Sequence, residues 1–300
     1  MTRALAPALG LALLALGGSS IAGAEPTVAP GVQVEIVIRG LPHVSDAIEL
    51  FPGELLISAG AEAPGGRLIR FSPAAGEPVP APGSSGEVLL WSRWRLGAIT
   101  TYAVTGRIYV AVPEEGQVIQ LPQLTRDLAT LARWEPQPYI RGLAALRDFA
   151  FGADGRLRVA DGARILETPI YVTPPVDAGQ LRTVHECPSA CQGVAVGPNG
   201  DLFVLEADDR GGRVLARDAR GAVRVLAEGL PRPGEGLRLG HGGSLFFTSE
   251  AGLHRLSPQG HVTTVLAGPT RRARVSLDAD GDLLLTDPDA GTVSRIHQDD

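Results

Sequence analysis

Residues 193–204 read GVAVGPNGDLFV, and two shorter segments follow them, GRVLAR at 212–217 and GAVRVL at 221–226. Within these segments apolar residues alternate with other residues, which is the pattern of half-buried β-strands. Gly, Pro, Asn and Asp separate the apolar runs, and these residues are typical of tight turns. The stretch therefore predicts four short antiparallel strands joined by hairpins.

The same unit recurs along the chain. The next copy contains GLRL at 236–239, GSLFF at 243–247, GLHRL at 252–256 and GHVTTVL at 260–266. Four weaker copies align on the same turn, and the equivalent positions of the six copies are Asp46, Ala98, Arg147, Gln192, Glu235 and Ala273. Four strands in a repeat of about 40 to 50 residues are typical of a β-propeller blade. We therefore predict an all-β, six-bladed propeller of four-stranded blades.

The two ends of the repeat region complement each other. The last copy stops after TVSRI at 292–296 and lacks an outer strand, whereas residues 31–41 (GVQVEIVIRGL) resemble the outer strand GAVRVLAEGL at 221–230. We expect this N-terminal strand to complete the last blade, with Val34, Ile36 and Ile38 facing inward. Such a closure removes a pair of open sheet edges.

Composition and charge limit the classes of function. The 300 residues are 44% hydrophobic and 20% charged, which is a globular composition. The formal net charge is −6, and no long basic run occurs. Because a duplex-binding protein needs a basic footprint, we expect no nucleic-acid partner.

The first 24 residues have the features of a signal peptide. Arg3 precedes an apolar stretch at 4–18, and the small residues Ala22, Gly23 and Ala24 follow it. We predict cleavage after Ala24, a propeller domain over residues 25–300, and export to the periplasm or the outside. After cleavage no apolar stretch approaches the length of a membrane span.

Cys187 and Cys191 are the two cysteines of the chain. In an exported protein a lone close pair is normally oxidised, so we predict a disulfide that holds a loop. Catalytic redox pairs more often have the C-x-x-C spacing, and zinc would need further ligands, which are absent from the neighbouring sequence. We interpret each histidine as structural, because no zinc-type histidine spacing occurs.

The repeat centred on residues 193–214 resembles an NHL-repeat blade, and it also resembles blades of the gluconolactonase and senescence-marker-protein family. Residues 245–250 and 253–260 are locally similar to a blade of the streptogramin B lyases. The resemblance to the gluconolactonases implies one divalent cation in the central channel, held by side chains at the starts of innermost strands. On this chain the corresponding carboxylates are Asp46, Asp148 and Glu235, and a cation such as calcium would suit them. The alternative is that acidic residues at these loops accept hydrogen bonds within the blades or are solvated.

A segment rich in tryptophan and arginine precedes the second repeat. Trp91, Arg93, Trp94 and Arg95 occur together, and this residue pairing is enriched at binding hot spots. We predict that these residues border a ligand or partner face at the channel mouth. The alternating pattern of residues 88–94 also fits an outer strand whose tryptophans pack between blades, and this alternative stays open.

Two functions from different classes are compatible with these features. We favour an exported, monomeric propeller that binds a small molecule or a protein over its channel-mouth face without catalysing a reaction. The alternative is a metal-dependent hydrolase of a lactone-like ester, in which the cation polarises a carbonyl group. Because propellers host unrelated functions, the fold by itself does not choose between them.

Overall fold

A computed structural model describes residues 27–60, 65–72, 86–122, 136–170, 173–268 and 270–298. The signal-peptide prediction for residues 1–24 lies outside the described residues. The described residues form six antiparallel sheets, which follow one another along the chain as the blades of a propeller. The prediction of an all-β, six-bladed propeller is confirmed.

The strands of each blade are given from the innermost to the outermost. Blade 1 contains Asp46–Phe51, Glu54–Gly60, Gly66–Phe71 and Gly86–Ser92, and blade 2 contains Ile99–Tyr102, Arg107–Val112, Gln117–Leu121 and Gln137–Arg141. Blade 3 contains Leu146–Phe151, Leu157–Asp161, Arg164–Glu167 and Arg182–Glu186, and blade 4 contains Ala190–Val196, Leu202–Asp208, Gly211–Arg217 and Val223–Leu230. Blade 5 contains Pro233–Leu239, Leu245–Ser249, Gly252–Leu256 and Val262–Ala267, and blade 6 contains Arg274–Leu277, Leu283–Asp287, Thr292–Gln298 and Val32–Ile38.

Two short strands extend the outer edges of blades 2 and 5. Val176–Asp177 pairs in parallel with the outermost strand of blade 2, and Thr27–Val28 pairs antiparallel with the outermost strand of blade 5. Within the described ranges, the helical segments are single 3-10 turns at Pro113–Glu115 and Ala178–Gln180. The described part of the chain contains no helix with the length and apolar character that a membrane crossing requires.

The N-terminal strand closes the ring as the sequence predicts. Val32–Ile38 pairs antiparallel with Thr292–Gln298 of blade 6, with Val34 opposite Ile296. A register shift between Ile36 and Ile38 interrupts the expected alternation, so that both Val37 and Ile38 are buried. Val34 instead is 38% exposed, because the first half of this outermost strand lies at the rim of the blade.

The hydrophobic core consists of six clusters, each of which lies between two neighbouring blades. Between blades 4 and 5, for example, Leu205 packs with Leu237 and Phe247. The apolar faces of the four-stranded sheets are buried against each other in this way, so each blade depends on both of its neighbours. Closure between blades 6 and 1 therefore completes the core as well as the ring.

The hairpin turns on which the sequence repeats align have the positive φ angles expected of glycine turns. Gly200 and Gly281 lie between the two inner strands of blades 4 and 6, with φ angles of 84° and 90°. Only glycine adopts this region without strain. The prediction that these glycines serve turn geometry is confirmed.

Ring closure generates a testable prediction. A chain that begins at Arg39 loses the whole closing strand, and the burial of Val37 and Ile38 is lost with it. We expect the free energy of unfolding to fall by about 3–6 kcal/mol, since burying each such side chain is worth roughly 1.5–3 kcal/mol. Urea denaturation measures the change.

The matched control for this truncation begins at Gly31. Of the described residues it removes 27–30, in which Thr27–Val28 are exposed, and it leaves the closing strand in place. Equal midpoints for the two truncated chains would contradict the assignment of the closing strand.

Candidate functional site

A cavity of about 560 Å³ opens at the channel mouth. Its walls are formed by the segments that lead into the innermost strands, such as His43–Ser45 before blade 1 and Pro233–Glu235 at the start of blade 5. The charged residues that line it are Arg95, Arg147, Arg271, Arg272 and Arg274, together with Glu114 and Glu235. The cavity has the size of an ordinary small-molecule site.

An ion pair between Asp148 and Arg238 lies in the channel below this cavity. Arg238 Nη1 donates to both carboxylate oxygens of Asp148 at 3.1 Å. Asp148 Oδ2 also accepts hydrogen bonds from the backbone N–H groups of Val194 and Leu237, at 3.1 and 3.2 Å. Since Asp148 is fully buried, its charge is balanced inside the protein and not by solvent.

Asp46 is the second buried carboxylate of the channel. Its Oδ2 accepts a hydrogen bond from the backbone N–H of Ile99 at 2.8 Å, which joins blade 1 to blade 2. Arg238 Nη2 lies 3.8 Å from the same oxygen. Burial raises the pKa of Asp46, and the positive charges of Arg238 and Arg274 act in the opposite direction.

Glu235 stands at the boundary between the channel and the cavity, with 44% of its side chain exposed. One carboxylate oxygen is 3.1 Å from Arg147 Nη1, and the other is 2.8 Å from Arg274 Nη2. Arg147 also donates to Gln192 Oε1 at 3.3 Å. Glu235 therefore serves as the internal counter-ion of two cavity arginines.

Asp46, Asp148 and Glu235 do not meet as a set of metal ligands. Among the described residues, the one group of three or more ligand side chains within 4.8 Å of one another lies elsewhere, at His185, Cys187 and Glu206. Each of the three channel carboxylates instead lies against one or two arginines. Calcium takes six to eight oxygen ligands, and the divalent cation at these three residues stays a prediction.

Several guanidinium N–H groups at this site have no acceptor within hydrogen-bond distance. Arg147 Nε, Arg238 Nη2 and Arg274 Nη1 are buried atoms without a hydrogen-bond partner among the described residues. Two of these atoms face carboxylates of the chain beyond hydrogen-bond distance, since Arg238 Nη2 is 3.8 Å from Asp46 Oδ2 and Arg274 Nη1 is 3.6 Å from Asp148 Oδ1. At the rim, Arg271 is exposed and forms no ion pair with the described residues.

The tryptophan and arginine segment divides between strand, core and cavity. Gly86–Ser92 pairs with Gly66–Phe71 as the outermost strand of blade 1, which confirms the strand interpretation for this part. Trp91 is 65% exposed on that strand, whereas Trp94 packs against the core between blades 1 and 2. Arg93 lies over the Trp94 ring at 5.3 Å, and Arg95 reaches the cavity. The role of these residues in ligand contact stays a prediction.

The predicted disulfide between Cys187 and Cys191 is present, with its Cα atoms 5.6 Å apart. It joins the end of the outermost strand of blade 3 to the innermost strand of blade 4. Loop closure over so few residues contributes roughly 2 kcal/mol or less in the chain-entropy model. The disulfide thus fixes a blade junction and adds little to global stability.

Arg238 is a channel residue that the sequence pattern did not identify, whereas Arg274 stands at a predicted strand start. A signal was available, because Arg238 stands where the preceding repeat has the apolar Ala195. A charged residue inside a predicted buried strand indicates a partner elsewhere in the fold. The partner itself, Asp148, is 90 residues away and could not be assigned from the pattern.

The comparisons with known proteins agree on the fold. No protein-family model matches the chain, and no curated protein matches it. A family AA12 carbohydrate-active enzyme from Trichoderma reesei superimposes with a TM-score of 0.72 at 12% identity, covering 94% of this chain and 100% of that one. A gluconolactonase from Xanthomonas campestris superimposes with a TM-score of 0.65 at 13% identity, covering 92% of this chain and 95% of that one. The holo PQQ domain of a pyranose dehydrogenase from Coprinopsis cinerea superimposes with a TM-score of 0.67 at 12% identity, covering 91% of this chain and 97% of that one.

These similarities bear out the resemblance to the gluconolactonase propellers at the level of fold. The neighbours include gluconolactonases and a PQQ domain, so their shared architecture does not select one chemistry. The fold of this chain is that of a six-bladed propeller, similar in architecture to the gluconolactonases.

The channel ion pair generates a second prediction. Asp148→Asn keeps the shape of the side chain but leaves Arg238 without its main counter-ion. We expect the free energy of unfolding to fall by about 3–5 kcal/mol, as is usual when one partner of a buried pair is removed.

Asp289→Asn is the matched control, because Asp289 pairs with Arg272 at 2.6 Å while 61% of its side chain is exposed. An exposed pair of this kind contributes about 0–1 kcal/mol. A loss of similar size in the two variants, measured by urea denaturation, would contradict the structural role of Asp148.

Proposed function

We propose that this propeller is a binding module for a small anionic molecule, which it holds at the channel mouth. The observation that carries the proposal is the convergence of Arg147 and Arg274 on the carboxylate of Glu235 at the cavity, where Arg147 Nε has no hydrogen-bond partner among the described residues. Guanidinium groups bind carboxylates and phosphates through paired hydrogen bonds. A carboxylate or phosphate group of a ligand would bind to the same two guanidinium groups.

The charge of the cavity supports the same ligand class. Five arginines line it against two glutamates, although the whole chain has a net charge of −6. A positive cavity in an acidic protein raises the local concentration of anions and repels cations. It therefore favours a carboxylate or phosphate ligand over a free metal ion.

Glu235 occupies the position of such a ligand group. Its carboxylate accepts from Arg147 and Arg274 at the cavity floor, and it is partly exposed to the cavity. A ligand carboxylate would compete with Glu235 for these two arginines. Removing the charge of Glu235 should therefore strengthen the binding of anions.

The alternative, a metal-dependent hydrolase of a lactone-like ester, makes the opposite prediction for the same residue. In that hypothesis Glu235 is a metal ligand together with Asp46 and Asp148, so the loss of its charge weakens the site. The three carboxylates are directed toward arginines, which repel a divalent cation. The binding module is therefore the better supported of the two.

We further propose that the chain is exported and acts as a monomer. A disulfide favours an oxidising compartment. A direct test is the position of the mature N-terminus, which we expect after Ala24.

The ligand class is tested by calorimetry with defined probes. Gluconate and glucarate present one and two carboxylates on the same sugar chain, glucose is their neutral counterpart, and PQQ presents three carboxylates on a rigid ring. We expect the carboxylate probes to bind in order of charge, glucose not to bind, and affinity to fall with added salt.

Two substitutions in the cavity sharpen this test. Arg271→Gln should weaken the binding of glucarate about tenfold, since a charge-assisted hydrogen bond is worth roughly 1.5–3 kcal/mol. Glu235→Gln should increase the affinity for glucarate by a similar factor. Arg224→Gln, on the exposed outermost strand of blade 4, makes the same charge change outside the cavity and should have no effect.

A weaker affinity in Glu235→Gln would contradict the proposal. So would hydrolysis of gluconolactone that depends on added calcium and disappears in Glu235→Gln, because that result is expected of the hydrolase. Absence of binding by every carboxylate probe would also overturn the ligand class.

A further inference from the structure

The junction between blades 3 and 4 holds a cluster of metal-ligating side chains outside the channel. A ring nitrogen of His185, the sulfur of Cys187 and a carboxylate oxygen of Glu206 all lie within 4.8 Å of one another. Cys191 contributes a fourth potential ligand, because its sulfur is bonded to that of Cys187. His185 and Glu206 come from different blades, so only the folded chain assembles the set.

Backbone hydrogen bonds hold the two cysteines in place independently of the disulfide. The N–H of Cys187 donates to the carbonyl of Ala163, and the N–H of Cys191 donates to the carbonyl of Gly162, both at 2.8 Å. Cys191 is also the register partner of Glu206 between the two inner strands of blade 4. The backbones of both cysteines would therefore keep their places near His185 and Glu206 if the disulfide were reduced.

The side chains of the cluster are already joined by polar contacts. His185 Nε2 lies 2.5 Å from Glu206 Oε1, and Arg213 Nε donates to the other carboxylate oxygen. Glu206 and Cys191 are almost completely inaccessible to solvent, with exposures of 1% and 0%. His185 is the most accessible member, with 12% of its side chain exposed, and marks the route by which an ion would enter.

We propose that this junction is a redox-controlled zinc site, in which Cys187, Cys191, His185 and Glu206 bind one Zn²⁺ after the disulfide is reduced. Two thiolates, one imidazole and one carboxylate supply the four ligands of a tetrahedral site. The mixture of soft sulfur with nitrogen and oxygen selects zinc over calcium or magnesium, which prefer oxygen ligands alone. While the disulfide is intact, neither sulfur is a thiolate and the site is closed.

The exchange balances in atoms and charge. A dithiol transfers two electrons and two protons to the Cys187–Cys191 disulfide, giving two protein thiols and an oxidised, cyclic dithiol. Zinc binding then releases the two thiol protons to solvent. The resulting centre has two thiolates and one carboxylate against Zn²⁺, a net charge of −1, which the contact between Arg213 and Glu206 offsets.

Zinc would thus replace one cross-link between the two blades by another. The disulfide closes this junction in an oxidising compartment, and the metal would close it in a reducing one. This inference does not depend on the anion-binding function proposed for the channel mouth, because the two sites share no residue.

The test compares oxidised chain with chain reduced by a phosphine, which does not itself compete as a thiol ligand. Zn²⁺ is titrated against a chromophoric chelator, and Co²⁺ is used as a probe whose thiolate charge-transfer absorption reports sulfur ligands. We expect one ion per reduced chain, with at least 100-fold weaker binding by the oxidised chain. The thermal midpoint should rise on addition of Zn²⁺ in the reduced chain alone.

Variants distinguish this site from adventitious binding. His185→Gln should weaken the binding of Zn²⁺ at least tenfold and leave the circular dichroism spectrum unchanged. The double variant Cys187→Ser with Cys191→Ser should lose the cobalt thiolate absorption. His261→Gln is the matched control, since His261 is exposed on blade 5 and outside the cluster.

Three results would overturn the proposal. The first is no stoichiometric binding by the reduced chain. The second is equal affinity in the oxidised and reduced chains, which would indicate a site made of histidine and carboxylate alone. The third is loss of the β-sheet circular dichroism on reduction, because the proposal requires the junction to stay folded without the disulfide.

Discussion

The buried ion pair between Asp148 and Arg238 connects most of the ring. Asp148 belongs to blade 3, and its carboxylate accepts from the backbone of blade 4 at Val194 and of blade 5 at Leu237. Arg274 of blade 6 donates to the carbonyl of Arg147 in blade 3, across the channel. Asp46 extends the same network from blade 1 to blade 2. A few charged side chains at the axis thereby hold six separate sheets in register.

This network also determines the chemistry that the channel mouth can offer. A carboxylate buried at the axis needs a fixed counter-charge, since leaving it unpaired costs several kcal/mol. The arginines that provide this charge bring additional N–H groups with them, and the carboxylates do not satisfy all of these groups. The surplus of positive charge at the mouth follows from the stabilisation of the axis. The same surplus disfavours the cation that the resemblance to the gluconolactonases implied.

The six blade junctions share one packing principle and differ in composition. The cluster between blades 2 and 3 contains large aromatic side chains such as Tyr109 and Phe149. The cluster between blades 3 and 4 is built from smaller residues, including both cysteines. Less apolar area is available at this junction, so covalent and ionic contacts are expected to contribute more there than elsewhere. It is the one place in the described structure where a disulfide joins two blades.

The sequence by itself determined the number of blades, the positions of the innermost strands and the closure by the N-terminal strand. Turn glycines and alternating apolar residues act over a few positions, so the pattern is readable without knowledge of the fold. The local spacing of Cys187 and Cys191 was sufficient to predict their disulfide for the same reason. Asp148 and Glu235 were singled out by their position at strand starts, although their partners were not.

Only the tertiary structure decided what those carboxylates contact. The pairing of Asp148 with Arg238, and of Glu235 with Arg147 and Arg274, depends on how six blades converge at one axis. The proximity of His185 and Glu206 to the cysteines depends likewise on the packing of blade 3 against blade 4. These contacts join residues far apart in sequence, and no local pattern encodes which of several charged side chains will meet across a closed ring.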